Sequence, residues 1–184
     1  MKTITYAGLV FCGVVATVAL AAPSVFAQST SPSVVKELVA GWQRAATDII
    51  DVAEAMPEEK YAYKPTPEIS TFREQLVHLA SATQRFIDTA KGTKSEAGHP
   101  NPAMTKAEVI TLLKHTLQTG QEMLASLTDA QLLEPVKFPF GNRMVTRFTF
   151  WQGPLYQVRN HHGQLVVYLR LNGIVPPTTA RRPA

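Results

Sequence analysis

The stretch Tyr156 to Pro177, YQVRNHHGQLVVYLRLNGIVPP, decides how the chain folds, because it reads as one helix with a sharp stop. Asn172 and Gly173 are residue types that readily take a left-handed backbone, and Pro176 and Pro177 follow where a helix can no longer continue. At about 100° per residue, Pro154, Gln157, His161, Gln164, Leu165, Tyr168 and Asn172 share roughly one third of the circumference. Arg159, Gly163 and Arg170 point the other way. His161 is therefore expected to face inward, where an imidazole needs a hydrogen-bond partner or a metal; an unsatisfied buried polar group costs about 1–3 kcal/mol.

His161, Gly163, Gln164, Leu165, Tyr168, Leu169, Arg170, Gly173 and Pro176 together resemble the closing signature of the DinB-like (DNA-damage-inducible) family. Upstream, Tyr61-Ala-Tyr-Lys-Pro-Thr-Pro-Glu68, then Phe72 and His78, resembles the same family's entry into its second helix. The resemblance implies an all-α fold, a four-helix bundle running up and down with a long crossover connection. It also implies a divalent metal of the zinc, nickel or iron class, held by one histidine of the second helix and two, spaced i and i+4, of the last. His78 matches the first position and His161 the last, but the middle position is Gln157. A glutamine amide oxygen is a harder and weaker donor than an imidazole for such metals. His162 is no substitute, since it lies about 100° around the helix from His161. The site is thus either altered or degraded.

Residues 1–27 have the form of a secretory signal: Lys2, an apolar run from Ala7 to Ala22, and small residues around Val25-Phe26-Ala27. The run is shorter than the ~20 residues of a membrane span. Cleavage after Ala27 is expected, giving an exported chain, periplasmic or secreted, with no stable membrane span. Cys12 lacks the small residues that precede a lipidated cysteine. Cleavage of 27 residues from 184 leaves 157, a single-domain length, and removes the only cysteine. Disulfides, thiolate metal sites and cysteine nucleophiles are then excluded. The formal charge falls from +4 to +3 with loss of Lys2. No basic stripe interleaved with aromatics is present, so the composition argues against a nucleic-acid partner. Residues 178–184, with Arg181 and Arg182, read as a disordered basic tail.

Between these ends, Gln28 to Ser31 reads as a polar linker and residues 32–177 as the bundle. A first helix is predicted from Pro32, capped by Ser31, to Ala55, with Val34, Leu38, Trp42, Ala45, Ile49 and Val52 as its apolar stripe. Residues 57–70, with three prolines, Tyr61 and Tyr63, form an extended crossing over one end. Thr71-Phe-Arg-Glu74 and Thr105-Lys-Ala-Glu108 are capping boxes that open a second and a third helix. His78 falls at the margin of the second helix's stripe, His115 points away from that of the third, and His99 lies in a Gly/Ser/Pro-rich loop. Val136, Phe138 and Phe140 alternate ahead of the turn at Gly141-Asn142, which permits a short hairpin-like excursion in an otherwise less regular stretch. The fourth helix begins either near Thr146, with a kink at Gly153-Pro154, or at Pro154.

No phosphate loop, serine-hydrolase elbow or internal repeat occurs. Two functions follow. In one, His78, His161 and Gln157 hold a divalent cation, Gln164 or Tyr168 donates a hydrogen bond in the pocket, and metal-dependent hydrolase or thiol-dependent transferase chemistry is implied by the resemblance. In the other, a non-enzymatic bundle with a lost metal site binds a small molecule or a protein. The resemblance also implies pairing into a homodimer.

Overall fold

The computed structural model describes residues 32–94, 101 and 103–181. Residues 1–31, which include the expected secretory signal, Cys12 and Ser31, and His99 lie outside the described residues. Among the described residues there are five α-helices: α1 (Val34–Ala55), α2 (Phe72–Lys91), α3 (Lys106–Ala125), α4 (Arg147–Leu171) and the short α5 (Pro177–Ala180). A two-stranded antiparallel hairpin, β1 (Pro135–Lys137) and β2 (Met144–Thr146), precedes α4, with Val136 opposite Val145.

Local chemistry explains each boundary. Ser33, not Ser31, caps α1 by accepting from the Lys36 amide, so the helix starts two residues later than the Pro32 pattern predicts. Asp129, far along the chain, completes that cap: its carboxylate accepts from Ser33 Oγ, Val34 N and Val35 N at 2.9, 3.1 and 2.9 Å. These bonds, foremost that from Val35, hold its carboxyl below the ordinary range. Both capping boxes form, with Thr71 and Glu74 on α2 and Thr105 and Glu108 on α3. The end of α4 closes as two nested bonds, Gly173 N to Arg170 O and Ile174 N to Leu169 O, both 3.0 Å. Gly173 alone supplies the left-handed residue, at φ 74°.

Helix α4 runs unbroken through Pro154. The missing Pro154 N–H leaves the Phe150 carbonyl without its intrahelical donor, a loss that burial of Phe150, Trp151 and Leu155 in the core offsets. Gly153 makes the seating possible, since a Cβ there would lie 2.5 Å from Phe86 Cζ.

The predicted apolar stripes form one core, except for Val34 at the start of α1, which is exposed. In it α1 packs on α3 and α4, and α2 packs on α3 and α4. Helices α1 and α2 therefore sit on a diagonal, as do α3 and α4, and both longer connections, 56–71 and 126–146, cross the bundle rather than one. Tyr61 anchors the first crossing, its hydroxyl donating to the Ala53 carbonyl at 2.7 Å and its ring edge-on to Phe72. Gly120 of α3 admits the indole of Trp42, whose Nε1 donates to the Leu117 carbonyl at 3.0 Å.

The C-terminal segment departs from the expected disordered tail. Residues Pro177–Ala180 form α5, and Arg181 pairs with Asp48 at 2.8 Å and with Asp51, both on α1. Two carboxylates one turn apart give the guanidinium a fixed seat that composition could not reveal; only residues 182–184 lie outside the described part. Among the described residues, no helix is long and apolar enough to cross a membrane.

Candidate metal centre

The seam between α2 and α4 holds the candidate site. His161 lies mid-helix on α4, on the face that carries the buried Val158 and Leu165 one turn to either side. It is 6% exposed, and its Nδ1 is buried with no hydrogen-bond partner. Burial, with a smaller contribution from His78, pushes its pKa down to about 4. The imidazole is thus neutral at pH 7, with its donor capacity unspent. His78, on α2, is exposed as a residue yet leans on the same seam: the two ring centroids are 5.4 Å apart, with 55° between planes. The marginal place of His78 on its helix explains both facts, since one ring edge meets α4 and the other meets solvent.

Gln157 occupies α4 one turn before His161 and is half-buried. Gln164 is exposed. Tyr168 is buried, and its hydroxyl donates to the Ser70 carbonyl at 2.7 Å, tying the end of α4 to the entry of α2. Its ring packs against Tyr63 and Phe72. Burial raises its pKa, partly offset by a hydrogen bond with Gln75. Glu74, one turn before His78, spends its carboxylate on the Thr71 amide at 2.7 Å, and this bond lowers its pKa. It serves the helix start rather than the His78 ring. His115 is exposed on α3.

A divalent cation can be tested against this donor set. Two imidazoles that share a tetrahedral cation at about 2.0–2.1 Å each have ring centroids roughly 5 Å apart, close to the spacing seen. The orphaned Nδ1 of His161 marks an unfilled coordination or hydrogen-bonding demand at that point. No group of three His, Cys, Asp or Glu side chains able to hold a metal exists among the described residues. Two imidazoles in ring contact are thus one short of a three-imidazole centre, and the side chain at the third position, one turn before His161, is the half-buried Gln157. Neutral near pH 7, His161 has a lone pair free to accept a hydrogen bond or meet a cation; with a pKa of about 4 it is a poor proton donor there.

His162 belongs elsewhere. The 100° step between neighbours on a helix turns it from the α2 seam toward α1, where its Nε2 is buried without a partner beside Gly41 and Arg44. The sequence signal for this was only the adjacency of two histidines.

Comparison with known proteins agrees with the architecture. No curated protein matches the chain. Solved structures do: a DinB-like protein from Bacillus cereus ATCC 10987 superposes with a TM-score of 0.67 at 17% identity, covering 77% of this chain and 95% of that one. A DinB-like protein from Bacillus subtilis gives 0.60 at 21% identity, covering 74% and 92%. A conserved protein from Enterococcus faecalis gives 0.61 at 16%, covering 77% and 98%. At these identities the likeness is one of fold. The sequence profile described as the DinB superfamily matches residues 42–165, from Trp42 at the heart of α1 to Leu165 one turn past His161, and on that span the chain belongs to the DinB superfamily.

Proposed function

We propose that the protein binds a divalent cation in the α2–α4 seam, through His78 and His161 with the Gln157 amide oxygen as a weaker third donor. The observation that carries this reading is the unpartnered, buried Nδ1 of His161 within one ring contact of His78. Metal binding needs deprotonated imidazoles, and His161 stays neutral down to a pKa of about 4. Two nitrogen donors favour the zinc, nickel or iron class over calcium or magnesium. When bound, such a cation supplies Lewis acidity to a small-molecule substrate, in hydrolase or thiol-dependent transferase chemistry. The chain's own part is to position and to exclude water: Val158 and Leu165 wall the buried side, and the exposed edge of His78 leaves the approach open.

A signal sequence at residues 1–27 would deliver this bundle to the periplasm or exterior, and pairing into a homodimer is consistent with the superfamily assignment. The second reading is a non-enzymatic bundle that binds a small molecule or protein partner. Gln157 favours it, because it leaves the set one strong donor short.

Metal content measured by mass spectrometry on the purified wild type, His161→Ala and Gln157→His decides between them. Near-stoichiometric metal in the wild type, lost in His161→Ala, supports the two-imidazole site. A wild type free of metal that acquires it only as Gln157→His overturns it in favour of the second reading.

A further inference from the structure

The groove between α1 and α4 holds polar groups that neither the fold nor the metal proposal uses. At one end a cavity of about 220 Å³ is lined by Gly41, Arg44, Asp48, Arg159 and His162. It shares Gly41, Arg44 and Arg159 with a wider opening of about 550 Å³, which adds Leu38, Leu155 and Phe148. From these we infer that the α1–α4 groove is a binding site for an amphiphilic carboxylate, its oxyanion between Arg44, Arg159 and His162 and its apolar tail along Leu38, Leu155 and Phe148.

Charge gives the first argument. Among the described residues, neither Arg44 nor Arg159, both exposed, forms an ion pair or hydrogen bond, and guanidinium groups stay charged at any working pH. Of the two carboxylates in the groove, Asp48 is taken by Arg181 at 2.8 Å, and Glu37 lies in the wider opening on the exposed side of α1. The narrow end thus carries the guanidinium charges of Arg44 and Arg159 against Asp48, which shares Arg181 with Asp51. Two guanidinium forks suit a planar carboxylate, which accepts through both oxygens.

Desolvation gives the second argument. His162 Nε2 is buried with no partner, a state that is costly for a polar atom unless an occupant satisfies it. A neutral imidazole protonated at Nε2 donates one more bond to the same oxyanion. Gly41 lies beneath the guanidinium: a Cβ there would meet Arg159 Nη2 at 3.5 Å, an ordinary contact, so only a larger side chain would fill the floor.

The apolar end sets the rest of the ligand. Leu38 and Leu155 are buried, while Phe148 and Val34 stay 38% and 41% exposed at the mouth. An oxyanion alone would leave that surface wet, and an alkyl tail covers it. The wider opening alone, about 550 Å³, falls in the range of small-molecule sites, about 300–1,000 Å³.

Calorimetric titration of the full chain in chelator, with decanoate below its micelle concentration, tests the assignment; decanol and inorganic phosphate serve as comparators. Saturable decanoate binding is expected, at least tenfold tighter than decanol and not displaced by phosphate. It should weaken tenfold or more in Arg44→Gln and Arg159→Gln, and weaken again in Gly41→Val, which fills the floor. Circular dichroism and urea midpoints of the variants, matched to wild type, confirm that each is folded. Equal affinity for decanol, indifference to Arg159→Gln in a folded variant, displacement by phosphate, or no saturable binding would each overturn the assignment.

Discussion

Burial of a neutral imidazole at position 161 makes a quantitative demand on stability. In the unfolded chain this histidine titrates near 6.5, and in the folded metal-free protein at about 4. Between those values the unfolded state binds the proton and the folded state does not, so acid favours unfolding. The contribution is intact above about pH 6.5 and is lost as pH falls toward 4. From pH 7.5 to 4.5 the linkage relation gives a ceiling of about 2.5 kcal/mol. His78 keeps one side of the pair at the solvent boundary, and screening there lowers the expectation to about 1.5 kcal/mol. Urea denaturation in chelator, run at both pH values on wild type and on His161→Leu, isolates this histidine, because every other titrating group is common to the two proteins. Wild type should lose about 1.5 kcal/mol more than the variant on acidification. Parallel pH dependences would refute the claim that His161 is buried neutral.

Three further outcomes follow from the packing. Gly120→Ala would place a Cβ 2.7 Å from Trp42 Cζ2, and the overpacking cost, reduced by alanine's better helix propensity, should come to about 1–2 kcal/mol in urea denaturation. Tyr168→Phe removes the bond to the Ser70 carbonyl and should cost about 1 kcal/mol, while metal content, measured alongside, stays at the wild-type level. Arg181→Gln should leave the denaturation midpoint nearly unchanged, since its pairs with Asp48 and Asp51 are exposed, yet speed hydrogen exchange at the amides of residues 179–181.

Much of this bundle was legible in the sequence for a physical reason: its helix signals are local. Thr71 with Glu74, and Thr105 with Glu108, sit three residues apart, and the Asn172-Gly173 stop acts within one turn. The start of α1 was misplaced by two residues because its cap is shared with Asp129, 96 positions from Ser33. The unbroken run of α4 through Pro154 depends on Gly153 meeting Phe86, a tertiary contact that no window around the proline contains. The C-terminal helix was hidden likewise, since the carboxylates that seat Arg181 are more than 100 residues away. At the site, helical angle alone turned His161 inward, and the α2–α4 pairing then brought His78 to it. What periodicity could not reveal was that Tyr168's hydroxyl is committed to Ser70, or that His162 is buried in a different seam.

Adjacent histidines on α4 thus open into separate interhelical spaces, one shared with α2 and one with α1. A rigid turn of that helix about its axis moves both rings through the same angle. Were α4 to turn in this way, an occupant of one space would alter the shape offered to an occupant of the other. By thermodynamic reciprocity, any factor by which a first ligand alters affinity for a second must act equally in reverse. The cation and the carboxylate proposed for these two spaces would then be held by neighbouring residues, 161 and 162, about 100° apart on one helix.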